Sequence, residues 1–530
     1  MGNPGLILKE LSKYEIGTYA EILYRNALFY PDREAFSCDG KSLTFRSFNS
    51  RVNRIIRALQ DLGLRKGDVI GVLSWNSMEY AEIFGAAMKG GFVISPFNAR
   101  LQLEELRSLV QYSEAKAIFV GPEFTRMAKI MLEAIPGDRY WISFTEAEDR
   151  LLSYSRLLEN APDEEPSVRV ERNDPLFIFF TSGTTGTPKG AVYTHARAIE
   201  DTKTYVMMNC IQPSSRFLMI MPFFHIGGAK VFWSYFYVGA SHVIMKSFDA
   251  AATLKAIDEE VITDIHIVPT HLTAFFSVSD FEKYNVQSLK RVFYAASPMP
   301  VELLKKGLQV LGPVFAQGYG STETGPNVCC LRLDEHQAID GTSAKYNVLF
   351  SCGRPNLGVQ VRVVDQADED LGPGRIGEIV VRGNTMIEYW HEPEETEDTV
   401  KADWTHTGDM GYYDELGFIY IADRKKDMII SGGENVYPRE VEEVLYQHPG
   451  IKEAAVIGLS DPYWVERVHA VVVPKNSGSL SEQEVIAFCK SKIAGYKIPK
   501  TVEFVSELPK TPAGKVLKRK LREERSDRAS

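Results

Sequence analysis

The chain has 530 residues, more than one hydrophobic core usually supports, so two or more domains are expected. Hydrophobic residues make up 44% and charged residues 25%, the ordinary balance of a globular protein. A net charge of −10 leaves no broad basic excess to neutralise phosphates, which argues against a general nucleic-acid binder.

The first part of the chain alternates strand and helix signals. Residues 68–74 read as a buried strand, residues 78–88 as a helix closed by Gly90-Gly91, and residues 115–120 as another short strand. This alternation predicts a parallel sheet covered by helices on both faces. Residues 160–166, acidic with two prolines, read as an exposed connection. The apolar run Leu176-Phe177-Ile178-Phe179 then leads into a loop rich in glycine and hydroxyl side chains. Residues 217–243 are the most apolar region, but Pro222, His225, Lys230 and His242 interrupt it. A buried core segment is expected there rather than a membrane span.

The character changes after about residue 350. Residues 359–364 and 377–381 read as strands with turn chemistry between them, which predicts a small barrel-like β subdomain. The remainder reads as a compact α+β unit. Pro438 opens a helix, residues 454–458 and 469–473 are strands, and Ser481 with Glu484 forms a capping box for a helix reaching about Lys492. The basic run Lys515 to Lys520 reads as a solvated helix face. The fold class is therefore α/β, with a multi-subdomain N-terminal domain over 1–423 and a smaller α+β domain over 424–530.

The six cysteines form no Cys-x-x-Cys pair, which suggests reduced thiols, a cytoplasmic protein and no zinc site. No charged-then-apolar signal segment opens the chain.

Chemistry concentrates first in Phe180-Thr181-Ser182-Gly183-Thr184-Thr185-Gly186-Thr187-Pro188-Lys189-Gly190. Glycines let a backbone turn tightly and approach a polyphosphate, successive N–H groups cradle it, and Lys189 adds a point charge. The run points to a nucleotide triphosphate. It is not a Walker A loop, because Pro188 precedes Lys189 and Gly190 follows it. It is not a dinucleotide fingerprint either: Gly318-Tyr319-Gly320 continues into Ser321-Thr322-Glu323 without a third glycine.

The run resembles the phosphate-loop signature of the AMP-forming adenylate family: acyl-CoA synthetases, peptide-synthetase adenylation domains and beetle luciferases. The resemblance recurs at residues 317–324, 405–409, 423–443 and 509–515, in the family's order. It is strongest toward the fatty or aryl carboxylic acid–CoA ligases. It implies that ATP and Mg²⁺ activate a carboxylic acid to an acyl-adenylate with loss of pyrophosphate, and that coenzyme A then takes the acyl group. It also implies that the smaller domain is mobile about Lys426.

The resemblance carries roles residue by residue. Thr181, Ser182, Gly183, Thr184, Thr185, Gly186 and Lys189 would cradle phosphate. Tyr319 would stack on adenine, Ser297 and Gly318 would also bind the nucleotide, and Thr322 would hold the α-phosphate, Glu323 the magnesium, and Asp409 with Arg424 the ribose. Lys515 would touch the attacking carboxylate and the α-phosphate oxygens. His225 would stand beside the acyl carboxylate and the thiol tunnel, with Phe223, Gly228 and Ala296 lining the acyl pocket. Gly432 and Gly433 would let the pantetheine arm of coenzyme A pass. Three places depart from the family. Lys518 stands where arginine is common, and Ala295-Ala296-Ser297-Pro298 and Val465 stand where glycine is common.

Competing readings remain. A carrier-protein adenylation domain usually places an aspartate near the Phe223–His225 segment, and none is there. A luciferase-like oxygenase shares most of the motifs. Pro188-Lys189-Gly190 disfavours a P-loop kinase or switch, and Glu323 with Lys515 disfavours a non-catalytic scaffold. Nothing in the sequence sets the oligomeric state, so a homodimer stays open, as does peripheral membrane contact should the acid be long.

Overall fold

The structure, a computed structural model, describes residues 12–135, 137–146, 150–181, 188–336, 348–431, 434–461, 463–476, 480–490, 492–510 and 515–526. Two large sheets form the body. The first has eight strands. Its centre, Val93–Pro96, Val69–Leu73, Ala117–Val120 and Tyr140–Ser143, is parallel and almost wholly buried, as the apolar runs predict. The helix Met78–Gly90 starts where Ser77 accepts the Tyr80 N–H at 3.1 Å and stops at Gly91, whose φ is +72°. Toward one edge, flanked by the short strand Glu388–Tyr389, lies an antiparallel hairpin of Pro175–Thr181 and Lys189–Thr194. The run expected to cradle phosphate joins these two strands, and its residues 182–187 lie outside the described residues.

The second sheet has nine strands. Arg216–Met219, Ser241–Ile244, Asp264–Ile267, Arg291–Tyr294 and Phe315–Ser321 run parallel at its centre. The apolar region 217–243 supplies two of these strands and the helix Ile226–Tyr237. No helix among the described residues is long and apolar enough to cross a membrane. One core cluster joins the two sheets. It contains Ile70, Phe177 and Phe217 from the strands, with Phe84 and Trp233 from the helices.

The β-rich subdomain expected to be barrel-like is a five-stranded antiparallel sheet, with Gln360–Val364, Gly377–Arg382 and Trp404–Tyr413 in a row and Val400–Lys401 and Ile419–Arg424 pairing the last of these. Beyond it, the hairpin Ile451–Asp461 and Val465–Pro474 carries a separate core on each face. Pro438 is the first residue of its helix, and Ser481 and Glu484 make the reciprocal capping bonds.

Two sequence expectations change. The connection 160–166 is only partly exposed: Glu165 takes bonds from Tyr14, Asn49 and Asn53 and pairs at 2.5 Å with Lys89, which is fully buried. The basic tail is not simply solvated either. Leu521 is buried, and Lys518 pairs with Glu442 at 2.9 Å and Asp423 at 3.4 Å, in the place where arginine was expected.

Candidate active site

The five parallel strands of the nine-stranded sheet end on one side, where open α/β sheets gather ligands. His225 follows the first, His271 the third, Ala296-Ser297 the fourth, and Tyr319 to Glu323 lie on or after the fifth.

Tyr319 donates its hydroxyl to Asp409 Oδ2 at 2.7 Å, and Arg424 Nε meets Asp409 Oδ1 at 2.5 Å. Antiparallel pairing of Trp404–Tyr413 with Ile419–Arg424 sets Asp409 opposite Arg424. Burial works against the Arg424 charge, but Asp409, Tyr319 and Glu323 outweigh it and raise its pKa. Lys515 joins this group from the far end of the chain. Burial, then the Arg424 guanidinium, push its pKa down to about 8, while Asp409, Asp427 and Asp423 pull the other way. Its neighbours Thr511 to Gly514 lie outside the described residues.

A second group gathers around Glu323. Its Oε1 accepts the Tyr389 hydroxyl at 3.1 Å. Lys189 pairs with Glu395, and its ammonium stands 5.6 Å from the Tyr389 ring centre. The turn is braced from behind: Tyr193 bonds the Thr322 carbonyl at 2.8 Å, and the Met386 N–H bonds that of Glu323 at 2.8 Å. Beneath Tyr193 lies a buried ion pair, Lys230 with Asp201 at 3.3 Å. The Lys230 ammonium sits 4.3 Å from the Tyr193 ring centre, and Asn327 bonds Asp201 at 3.0 Å. Sequence reasoning missed Tyr193, Asp201, Lys230, Tyr389 and Glu395. Only Lys230 left a signal, as the one charged residue in an otherwise apolar helix.

On the side where the acyl group is expected, His225 immediately precedes the helix Ile226–Tyr237. Burial, then Arg100, hold its pKa at about 4. Phe223 points elsewhere: its ring packs in the core against Tyr80, Phe84 and Phe232. Gly228 is small for packing, since a Cβ there would come within 2.4 Å of the Pro222 carbonyl oxygen. Gly318 likewise lets the Phe293 ring close against it, where a Cβ would sit 2.3 Å from Cζ. Ala296 and Val465, the two departures from glycine, keep left-handed backbones with φ of +71° and +70°. Ser297 follows Ala296 in the same bend. Thr181 faces Lys189 at the loop end of the hairpin.

Where the junction between domains is expected, residues 425–427 form a turn. Lys426 is exposed there, and the Lys425 N–H bonds the Gly408 carbonyl at 2.9 Å. Asp423 accepts the Arg439 N–H at 2.9 Å, and Arg522 pairs with Asp427 at 2.7 Å. Gly432 and Gly433 lie outside the described residues.

Residues 23–390 match the model of the AMP-binding enzyme family, and residues 440–515 match the AMP-binding enzyme C-terminal domain. Feruloyl-CoA synthase of Amycolatopsis sp is 34% identical over 501 residues, covering 94% of this chain and 97% of that protein. Long-chain-fatty-acid–CoA ligase FadD13 of Mycobacterium tuberculosis is 34% identical over 492 residues, covering 91% and 93%. The crystal structure of the anthranilate CoA ligase AuaEII in complex with anthranoyl-AMP matches with a TM-score of 0.89 at 27% identity, over 98% of this chain and 99% of that one. Alike in both segments and along nearly its whole length, the chain belongs to the family of AMP-binding, adenylate-forming enzymes.

Proposed function

We propose that this enzyme, an AMP-forming acid–thiol ligase, activates a fatty or aryl carboxylic acid with ATP and passes the acyl group to coenzyme A. The observation that supports the residue assignment is the Asp409–Arg424 pair, whose charges are felt by Lys515 from beyond the 425–427 turn.

A carboxylate is a poor electrophile, because oxide would have to leave. The reaction avoids this when the carboxylate oxygen attacks the α-phosphorus of ATP and pyrophosphate departs. Negative charge then spreads over the phosphoryl oxygens, and the Lys515 ammonium, poised near Asp409 and Arg424, stabilises it. Asp409 accepts from the ribose hydroxyls with Arg424 beside it, Tyr319 lies along adenine, and Lys189 holds the outer phosphates. In the second step the coenzyme A thiolate attacks the acyl carbonyl and AMP leaves. Rotation about Lys426 exchanges the face bearing Lys515 for the segment bearing Gly432 and Gly433.

Mg²⁺ fits the donor set. Among the described residues no three potential ligands cluster to cage a metal. Magnesium typically binds through one or two carboxylates together with substrate phosphates, and Glu323 supplies one carboxylate. Bound there, the ion would neutralise phosphate charge.

The test is pyrophosphate exchange into ATP with fatty, aryl and amino acids, with and without coenzyme A, and thioester measured separately. Exchange with fatty or aryl acids and thioester on adding coenzyme A are expected. Exchange with amino acids alone would instead favour carrier-protein loading.

A further inference from the structure

The segment that carries Lys515 is pinned at both ends. The Leu517 N–H donates to the Pro509 carbonyl at 2.8 Å, and Lys510 and Val516 form an antiparallel bridge. Lys518 is the next residue and opens the helix Lys518–Ser526. Whatever holds its ammonium therefore holds the neck of the segment, and with it the placement of Lys515. The Lys518 side chain is only 14% exposed and meets two carboxylates, Glu442 at 2.9 Å and Asp423 at 3.4 Å.

These carboxylates lie on opposite sides of Lys426. Glu442 belongs to the helix Pro438–Tyr446 and also accepts the Val456 N–H at 2.8 Å, so it is built into the framework of the smaller domain. Asp423 belongs to the strand Ile419–Arg424. Its Oδ1 accepts the Arg424 N–H at 2.7 Å, and its Oδ2 takes both the Arg439 N–H at 2.9 Å and the Lys518 ammonium. One carboxylate thus joins the strand end that presents Arg424, the start of the 438–446 helix, and the neck of the Lys515 segment. The Arg439 guanidinium adds a second tie, to the Ile421 carbonyl at 2.9 Å and the Phe350 carbonyl at 3.4 Å, but it fixes the helix and leaves the Lys515 segment to Lys518.

A turn at Lys426 would break the Asp423–Lys518 contact and leave Glu442–Lys518 intact. Breaking a buried pair is costly when it leaves a charge without a partner. Here Lys518 keeps Glu442, and Asp423 keeps the Arg424 N–H, so the contact can open without stranding either charge. A catalytic cation is effective only when held in place against the developing charge, and this contact is the one that fixes the neck of the Lys515 segment to the body.

Resting on the ligase reading above, we propose that Lys518 is a positioning residue for adenylation: paired with Asp423 across the expected pivot, it holds the Lys515 segment to the cleft, and it lets go of Asp423 while keeping Glu442 when the smaller domain turns.

The experiment uses the full chain and an acid that the unmodified enzyme accepts. Pyrophosphate exchange reports the first half-reaction, and thioester formation from supplied acyl-adenylate the second. Lys518→Met should lower kcat for exchange about 10-fold, the order of one hydrogen bond to a charged group, with the KM for ATP within about twofold. Thioester formation should hold or rise. Asp423→Asn should act in the same direction, since it keeps an oxygen for the N–H groups and leaves Lys518 on Glu442; it carries the test should Lys518→Met lack a cooperative thermal transition. The double variant should fall no further than about the worse single one, as for two residues that act through one contact. Lys518→Arg, whose fork reaches both carboxylates, should bring exchange back to within about threefold of the unmodified enzyme. Equal loss in both half-reactions, full exchange in a folded Lys518→Met or Asp423→Asn, multiplied losses in the double variant, or no rescue by arginine would each overturn the proposal. Absence of exchange by the unmodified enzyme with every acid would defeat the ligase reading itself, a separate and distinguishable result.

Discussion

Adenylation should fail at alkaline pH, and Lys515 should set the midpoint. Its ordinary pKa, about 10.4, falls to about 8 through burial and the Arg424 guanidinium beside it. The ammonium is the form that stabilises phosphoryl charge. It is fully present well below pH 8 and lost as the pH rises through that value. About nine-tenths of free enzyme is charged at pH 7 and about one-tenth at pH 9, so kcat/KM for adenylation should drop about tenfold across that interval and about tenfold per unit beyond. The acid and the ATP phosphates are already ionised there and add no slope of their own. The second half-reaction should move the other way, because a free thiol near pKa 8.5 becomes more nucleophilic over the same range. The assay compares pyrophosphate exchange with thioester formation from supplied acyl-adenylate, from pH 6.5 to 10. Lys515→Ala should abolish the first and spare the second. Adenylation that stays level to pH 10, or equal loss of both half-reactions in Lys515→Ala, would refute the assignment.

Other outcomes follow from the same geometry. Lys230→Met strands buried Asp201 without its ammonium and should cost about 3–5 kcal/mol in denaturant unfolding; adding Asp201→Leu should restore much of it, and a double variant no better than the single would show the pair uncoupled. Tyr389→Phe removes the bond to Glu323 and should raise the Mg²⁺ needed for half-maximal exchange severalfold at constant Tm; a lower Tm with unchanged Mg²⁺ dependence would make the tyrosine merely structural. Val465→Gly should stabilise the protein by about 1 kcal/mol, since the valine holds φ at +70° while 64% exposed and has little packing to lose; a loss of stability would mean that contact outweighs backbone strain.

Local signals were legible. Continuous apolar runs gave the central strands, Ser77 and Gly91 bounded a helix, and the motifs naming Tyr319, Asp409, Arg424 and Lys515 mark residues that the fold brings together. What escaped was carried by pairing across long separations. Tyr389 sits in a two-residue strand too short for any periodicity, placed by its register against Ala191. Asp201 looks like an ordinary helix charge, and the lone Lys230 of an apolar helix names no partner, until the helices pack and bury both. Phe223 misled because its motif places the residue near the site without saying which way the ring turns.

Arg424 is the last residue of its strand, and the exposed Lys426, the expected pivot, comes two positions later. The side chain that would read the nucleotide's sugar is thus tied down within two residues of the expected pivot. Were the smaller domain to turn at Lys426, loosening Asp409's grip on Arg424 would slacken the joint as well. Timing between the two half-reactions would then need no separate messenger, because departure of the nucleotide itself would release the arm.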